Sequence, residues 1–244
     1  MIYLRSTLLA LYMGLLTPLY ALIANLSFPL PAMMRYRIIR TWGLQVMWVV
    51  KHVCGIRYKV IGRENLTKSS VVFLAKHQSA WETIALQEIL PPVSFVLKKE
   101  LLKLPFFGWG LAQFSPIAID RAAGKDALDQ VVDQGRQRLA DGFSVLVFPE
   151  GTRTSIGSKK RYKPGGGWLA QHTGAPVIPI AHNAGEFWRK NAFLKYPGTV
   201  TVSIGPAIET DGLSAAEINA RAEEWIEGEM HRLFPHHYKA TAKA

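Results

Sequence analysis

Residues 6 to 34 contain no charged side chain. That run exceeds the roughly 20 apolar residues a helix needs to cross a bilayer. So much apolar surface must be covered, by lipid or by the rest of the protein. Pro18, Pro29 and Pro31 punctuate the run, which predicts a helix over about 6–26 and a turn at Phe28-Pro29-Leu30-Pro31. A second apolar helical segment, about 36–54, follows, with Arg35, Arg37 and Arg40 at its start. Trp and Arg at the edges of apolar helices suit a lipid–water interface. Residues 1–55 are therefore expected to form a helical hairpin that enters or spans a membrane, and residues 56–244 a separate domain. Two rivals stand. A cleaved signal peptide is opposed by an n-region carrying only Arg5 and by the lack of a clean Ala-x-Ala site. The other rival is a hairpin buried in the protein core. Arg5 before the first segment and the three arginines after it favour both ends facing the cytoplasm.

From residue 56 the pattern changes to short apolar runs alternating with helical spacing. Strands are predicted at 56–61, 71–75, 93–97, 116–119, 144–148, 177–181 and 199–204. Helices are predicted near 80–90, 126–140, 168–173 and 214–234, the last opened by a capping box at Ser214 and Glu217, and a short helix and turn within 101–113. Gly165-Gly166-Gly167 reads as a turn. The alternation indicates an α/β fold, a mostly parallel, mixed sheet flanked by helices.

In such sheets functional groups gather at the carboxyl ends of strands, and three strand ends here, those of 71–75, 116–119 and 144–148, carry functional side chains. His77 and Glu82 follow the strand 71–75. Lys98 ends the strand 93–97, Asp120-Arg121 follow 116–119, and Glu150 and Arg153 follow 144–148. With His77 on the loop and Glu82 in the first helical turn, the carboxylate can fold back and orient the imidazole as a general base. Ser79-x-x-Glu82 equally matches a capping box that needs no chemistry. Arginines grip phosphate bidentately.

The formal net charge of +11 attracts anions: nucleic acid, anionic lipid or phosphorylated substrates. No serine sits in a Gly-x-Ser-x-Gly elbow, and no Walker-type loop is present. The single cysteine, Cys54, reads as a packed thiol. His231, His236 and His237 lack a carboxylate or cysteine pattern, so no metal is expected.

Phe148-Pro149-Glu150-Gly151-Thr152-Arg153 resembles a sequence block of the 1-acyl-sn-glycerol-3-phosphate acyltransferases. His77-x4-Glu82 is similar to that family's His-x4-Asp block, with Glu for Asp and with Lys76 where Asn often stands. Ile119-Asp120-Arg121 and Ala175-Pro176-Val177-Ile178-Pro179-Ile180 resemble two further blocks, in the family's order. The resemblance implies a glycerolphosphate acyltransferase-like fold. It implies transfer of a fatty acyl group from acyl-CoA or acyl carrier protein to the 2-hydroxyl of lysophosphatidic acid, giving phosphatidic acid for phospholipid biosynthesis. His77 would be the general base and Glu82 its orienting partner. Arg153 and Arg121 would hold the phosphate, Glu150 would contact glycerol hydroxyls, and Gly151, Thr152 and Lys98 would complete the substrate-binding set. No permanently bound cofactor and no nucleic acid are implied. The enzyme would work at a lipid bilayer, on the cytoplasmic face of a membrane (the inner membrane in a bacterium). Two alternatives stay open: an acyltransferase for another lyso-lipid, such as a lysophospholipid or lyso-ornithine lipid, and a non-catalytic basic membrane-binding protein.

Overall fold

The computed structural model describes residues 1–120 and 122–238. Two long helices open the chain, α1 (Ile2–Leu26) and α2 (Ala32–His52). The expected break falls between them, but Pro18 lies inside α1 without ending it. At about 37 Å (1.5 Å per residue), α1 is long and apolar enough to cross a membrane, and it is the one helix among the described residues that is.

Seven strands form one sheet: β1 (Ile56–Ile61), β2 (Val72–Ala75), β3 (Val93–Lys98), β4 (Ile117–Ile119), β5 (Ser144–Val147), β6 (Val177–His182) and β7 (Gly198–Ile204). Their spatial order is β1-β7-β6-β2-β5-β3-β4. Every neighbouring pair is parallel except β6–β7. The carboxyl ends of β2, β3, β4, β5 and β6 therefore share one edge, and β1 and β7 run the other way. β2, β5 and β6 are buried at every position, because helices cover both faces. Val71, Phe73 and Ala75 face a core shared with α1, α2 and α3 (Trp81–Ile89). Val72 and Leu74 face the opposite core, with α6 (Gly165–Thr173) and α8 (Ala215–Leu233). The period-two alternation of a strand thus feeds two cores at once. Leu9 and Ala24 of α1 lie in the same core as Val200 and Ile204 of β7, so the opening helices pack on the sheet.

Pro179 stands inside β6, where proline is normally excluded. Its carbonyl accepts from Gly205 N, so its missing N–H also faces β7. The β6–β7 ladder begins only at Ile180, so the bond that proline removes, its N–H toward β7, is missed at the end of the ladder and not within it.

The glycine run needs correction. It opens α6 instead of forming a turn before it. A Cβ on Gly166 would lie 2.4 Å from Leu74 Cδ2, and one on Gly167 2.3 Å from the Ala215 carbonyl. Glycine is required because α6 presses against β2 and α8. Three shorter pieces complete the layers, α4 (Phe107–Gln113), α5 (Lys125–Ala140) and α7 (Ala184–Phe187). The capping box of Ser214 and Glu217 opens α8 as expected.

Candidate active site

β2 ends at Ala75 and α3 begins at Trp81, so residues 76–80 form a short bridge that must turn sharply. Its main chain supplies the donors for one buried carboxylate. Glu82 Oε1 accepts from Gln78 N at 2.9 Å, from Ser79 N at 2.8 Å and from His77 Nδ1 at 2.8 Å. Ser79 Oγ accepts from Trp81 N rather than from Glu82 N, and Ala80 takes the N-cap place. Glu82 therefore serves both readings. It receives the Ser79 N–H as a capping glutamate does, and with the same oxygen it orients His77. The positive end of α3 favours the charge there.

Burial alone would raise the Glu82 carboxyl. The ring of His182 and the hydrogen bonds from His77 and Ser79 bring it below the ordinary carboxylate value. Burial also lowers His182, leaving that ring uncharged near neutral pH, so the hydrogen bonds carry most of the effect. With Glu82 ionised, His77 Nδ1 holds the proton and Nε2 is left as the basic nitrogen. The imidazole stacks on Phe148 from the end of β5, with centroids 4.0 Å apart and planes at 15°. Helix start and aromatic ring together allow it one orientation.

His77 opens onto a cavity of about 370 Å³. Lys98, Gly151 and Arg153 line the same cavity, so the ends of β2, β3 and β5 converge; β3 takes the place expected of β4, none of whose residues is in the wall. Arg153 is half-buried, and its Nε is buried with no hydrogen-bond partner among the described residues. Lys98 pairs with the exposed Glu100 at 3.1 Å. Beyond these polar groups the walls are apolar: Leu97, Phe107, Leu111 and Phe114 from β3 and α4, and Met13, Ala21, Ile39 and Trp42 from α1 and α2. Gly151 takes a φ of +70°, and a Cβ there would lie 2.8 Å from Lys163 Cε, which accounts for glycine in the loop.

Other expected residues stand elsewhere. Glu150 does not line the cavity. It is fully buried, with Oε2 accepting from His77 N at 2.7 Å and Oε1 2.7 Å from Lys76 Nζ. The geometry thus turns Glu150 toward the main chain of the histidine loop and away from the place expected of glycerol hydroxyls. Thr152 is exposed on the loop surface and is not part of the cavity wall. Arg121 lies outside the described residues.

Several residues that sequence reasoning missed support the site. Thr154 donates its N–H to the His77 carbonyl at 2.7 Å, and His182 Nε2 lies 2.7 Å from the Lys76 carbonyl. Met13, Thr17 and Tyr20 bring α1 into the cavity wall. The chain-end histidines do have a carboxylate: His236 and His237 Nε2 lie 3.1 Å and 2.6 Å from Glu186 Oε1. Asn183 Nδ2 donates to the same oxygen at 2.9 Å, and the group reads as a hydrogen-bonded clasp between α7 and the chain end.

Comparisons with known proteins bear on the family and the fold. Residues 57–183 match the family model described as Acyltransferase. A 1-acyl-sn-glycerol-3-phosphate acyltransferase of Pseudomonas aeruginosa is 48% identical over 210 residues, covering 84% of this chain and 82% of its own. One of Saccharomyces cerevisiae is 33% identical, covering 72% and 59%. The Homo sapiens beta form is 30% identical, covering 70% and 62%. Among solved structures, the 1-acyl-sn-glycerophosphate acyltransferase of Thermotoga maritima superposes with a TM-score of 0.77 at 23% identity, over 96% of this chain and 98% of that one. That likeness carries the fold, and the close sequence relatives carry the membership: this chain belongs to the 1-acyl-sn-glycerol-3-phosphate acyltransferase family.

Proposed function

We propose that the enzyme transfers a fatty acyl group from a thioester, on coenzyme A or acyl carrier protein, to the 2-hydroxyl of 1-acyl-sn-glycerol 3-phosphate. The observation that carries this reading is the His77–Glu82 pair at the polar mouth of an otherwise apolar cavity, with Arg153 and Lys98 beside it. The acceptor phosphate has two cations to meet, and the acyl chain has an apolar wall. His77 Nε2 takes the proton of the acceptor hydroxyl as its oxygen attacks the thioester carbonyl carbon. The tetrahedral oxyanion collapses, the carbon–sulfur bond breaks, and the imidazolium returns the proton to the departing thiolate. Glu82 stabilises the imidazolium while it exists. No acyl-enzyme is formed, consistent with a cavity whose described lining residues include no serine or cysteine.

The long exposed apolar face of α1 supports work at a bilayer, where acceptor and product both reside. The basic surplus favours an anionic leaflet, and Arg5 in the first turns of α1 with Arg35, Arg37 and Arg40 of α2 favours the cytoplasmic side.

The test is thiol release from acyl-CoA and acyl carrier protein thioesters with a panel of acceptors. Lysophosphatidic acid is expected to be preferred. His77→Ala should lower kcat by about 10²–10⁴-fold with the fold retained by circular dichroism. Near-normal turnover in a folded His77→Ala protein would remove the mechanism, and a preferred acceptor without a phosphomonoester would move the assignment to a sister lipid.

A further inference from the structure

Behind the histidine loop, on the side away from the cavity, lies a buried charged cluster that the transfer step as written does not use. Lys76, the residue before the base, is fully buried. Its Nζ lies 2.7 Å from Glu150 Oε1 and 2.7 Å from Glu227 Oε1 of α8. Tyr162 donates its hydroxyl to Glu227 at 3.3 Å. One ammonium thus faces two carboxylates, with the neutral hydroxyls of Tyr162 and Thr154 as further donors. Taking three charges out of water costs several kcal/mol per ion before their attraction repays it, so the cluster is a poor way to gain stability alone. It does meet the main chain of the base. Glu150 Oε2 accepts the His77 N–H at 2.7 Å, Thr154 N–H reaches the His77 carbonyl at 2.7 Å, and His182 reaches the Lys76 carbonyl at 2.7 Å. The peptide groups on both sides of His77 are held.

We propose that Lys76 and Glu227 are positioning residues for acyl transfer: Glu227 holds the Lys76 ammonium against Glu150 in a buried place, and the carboxylate of Glu150 clamps the main chain of His77 so that Nε2 meets the acceptor hydroxyl. The proposal rests on the acyl-transfer reading above. Glu82 orients the ring and Glu150 fixes the backbone that carries it. Burial, with the like charge of Glu227, pushes the Glu150 carboxyl above the ordinary carboxylate value, and Lys76 pulls against them. A protonated Glu150 would hold a hydroxyl donor where an acceptor is needed. The groups facing Glu150 are Lys76 and His77 from the end of β2, Thr154 from its own loop, Tyr162 from the segment before α6, Glu227 from α8 and Tyr238 near the chain end.

The experiment uses the full chain and the thiol-release assay. Lys76→Met keeps the apolar stem and removes the charge. Its kcat is expected to fall about 10- to 100-fold, the scale of an ångström-sized misplacement, with the acceptor KM within about threefold. The lost kcat should partly return as pH rises and Glu150 gives up its proton. In Lys76→Met/Glu150→Gln that pH-dependent return should vanish. Should Lys76→Met fold poorly, Lys76→Met/Glu227→Gln, which leaves Glu150 as the cluster's one carboxylate, takes its place, with kcat returning at lower pH than in Lys76→Met because the like charge of Glu227 is gone. A wild-type kcat, or a loss that is flat with pH and equal in both backgrounds, overturns the clamp. Hydrogen exchange of residues 76–79 reads the clamp without substrate: Lys76→Met should speed it, and unchanged exchange also overturns the proposal. Wild-type protein inactive on every acceptor, but with the faster exchange in Lys76→Met, would instead remove the acyl-transfer reading and keep the clamp.

Discussion

Glu82 concentrates the chemistry of the site into one oxygen. Three donors meet Oε1 within 2.9 Å, two from the main chain and one from His77. Glu82→Gln keeps the shape but removes the charge that faces the imidazolium, and it should lower kcat by at least 10²-fold. Glu82→Asp keeps the charge and shortens the reach, so it should cost less. Equal activity of the two variants in steady-state turnover would leave Glu82 a helix cap only. Arg153 presents a different case, since a guanidinium edge buried without a partner calls for an anion. Arg153→Ala should lower kcat/KM for lysophosphatidic acid by about 10- to 150-fold, the worth of a charge-assisted hydrogen bond. An unchanged value would place the phosphate elsewhere. Lys76 shows the limit of reading residues from a sequence. It stands next to the base, but nothing in a chain of letters says that a lysine is buried or that its carboxylates come from residues 150 and 227.

Elements tell a similar story. The runs at β2 and β5 are legible because β-branched and aromatic residues follow one another without a polar break, as a strand buried on both faces demands. The cap of α8 is legible because serine and glutamate at that spacing have few other uses. The start of α6 is not, because glycine signals both turns and close packing, and only the distances to Leu74 and Ala215 decide between them. A short helix such as α7, four residues long, has no room for periodicity. The histidines at the chain end find Glu186 some fifty positions away, beyond any local spacing rule. Packing at α6 can be tested directly. Gly167→Ala should destabilise by about 1–3 kcal/mol through overpacking, because the Ala215 carbonyl is backbone and cannot step aside. Gly228→Ala, in open space on α8, should stabilise by about 0.5–1 kcal/mol. Thermal midpoints of the two variants moving in the same direction would contradict this account of the glycine run.

For the whole molecule, α1 does two jobs at once. One side lines the cavity and joins the core through Met13, Ala21 and Leu9. The other presents Leu11, Leu15, Leu19 and Leu22 to the surroundings. An apolar run with no polar stripe gives no sign of this division, and so the part of α1 in the site was hidden. Leu15 is 79% exposed and Leu22 59%. Replacing both with glutamate should weaken binding to anionic vesicles by more than about 100-fold, from roughly 1.5–3 kcal/mol per leucine, and leave thiol release from a detergent-dispersed acceptor largely intact. Undiminished co-sedimentation with vesicles would locate the docking surface elsewhere.

The pairing of the first strand with the last also sets a timetable. Ile56 lies beside Gly198, and the core that holds Leu9 includes Val200 and Ile204. During synthesis α1 leaves the ribosome well before its protein partners on β7, Val200 and Ile204. At about 5–20 residues per second, α1 waits on the order of ten seconds before β7 exists to close the core. Pairings this distant are slow to form and exposed to aggregation meanwhile. A nearby bilayer gives α1 a place to lodge during that interval. The surface at which the finished enzyme is proposed to work is then also a holding surface for the nascent chain, and expression without membrane or detergent should yield aggregate before it yields enzyme.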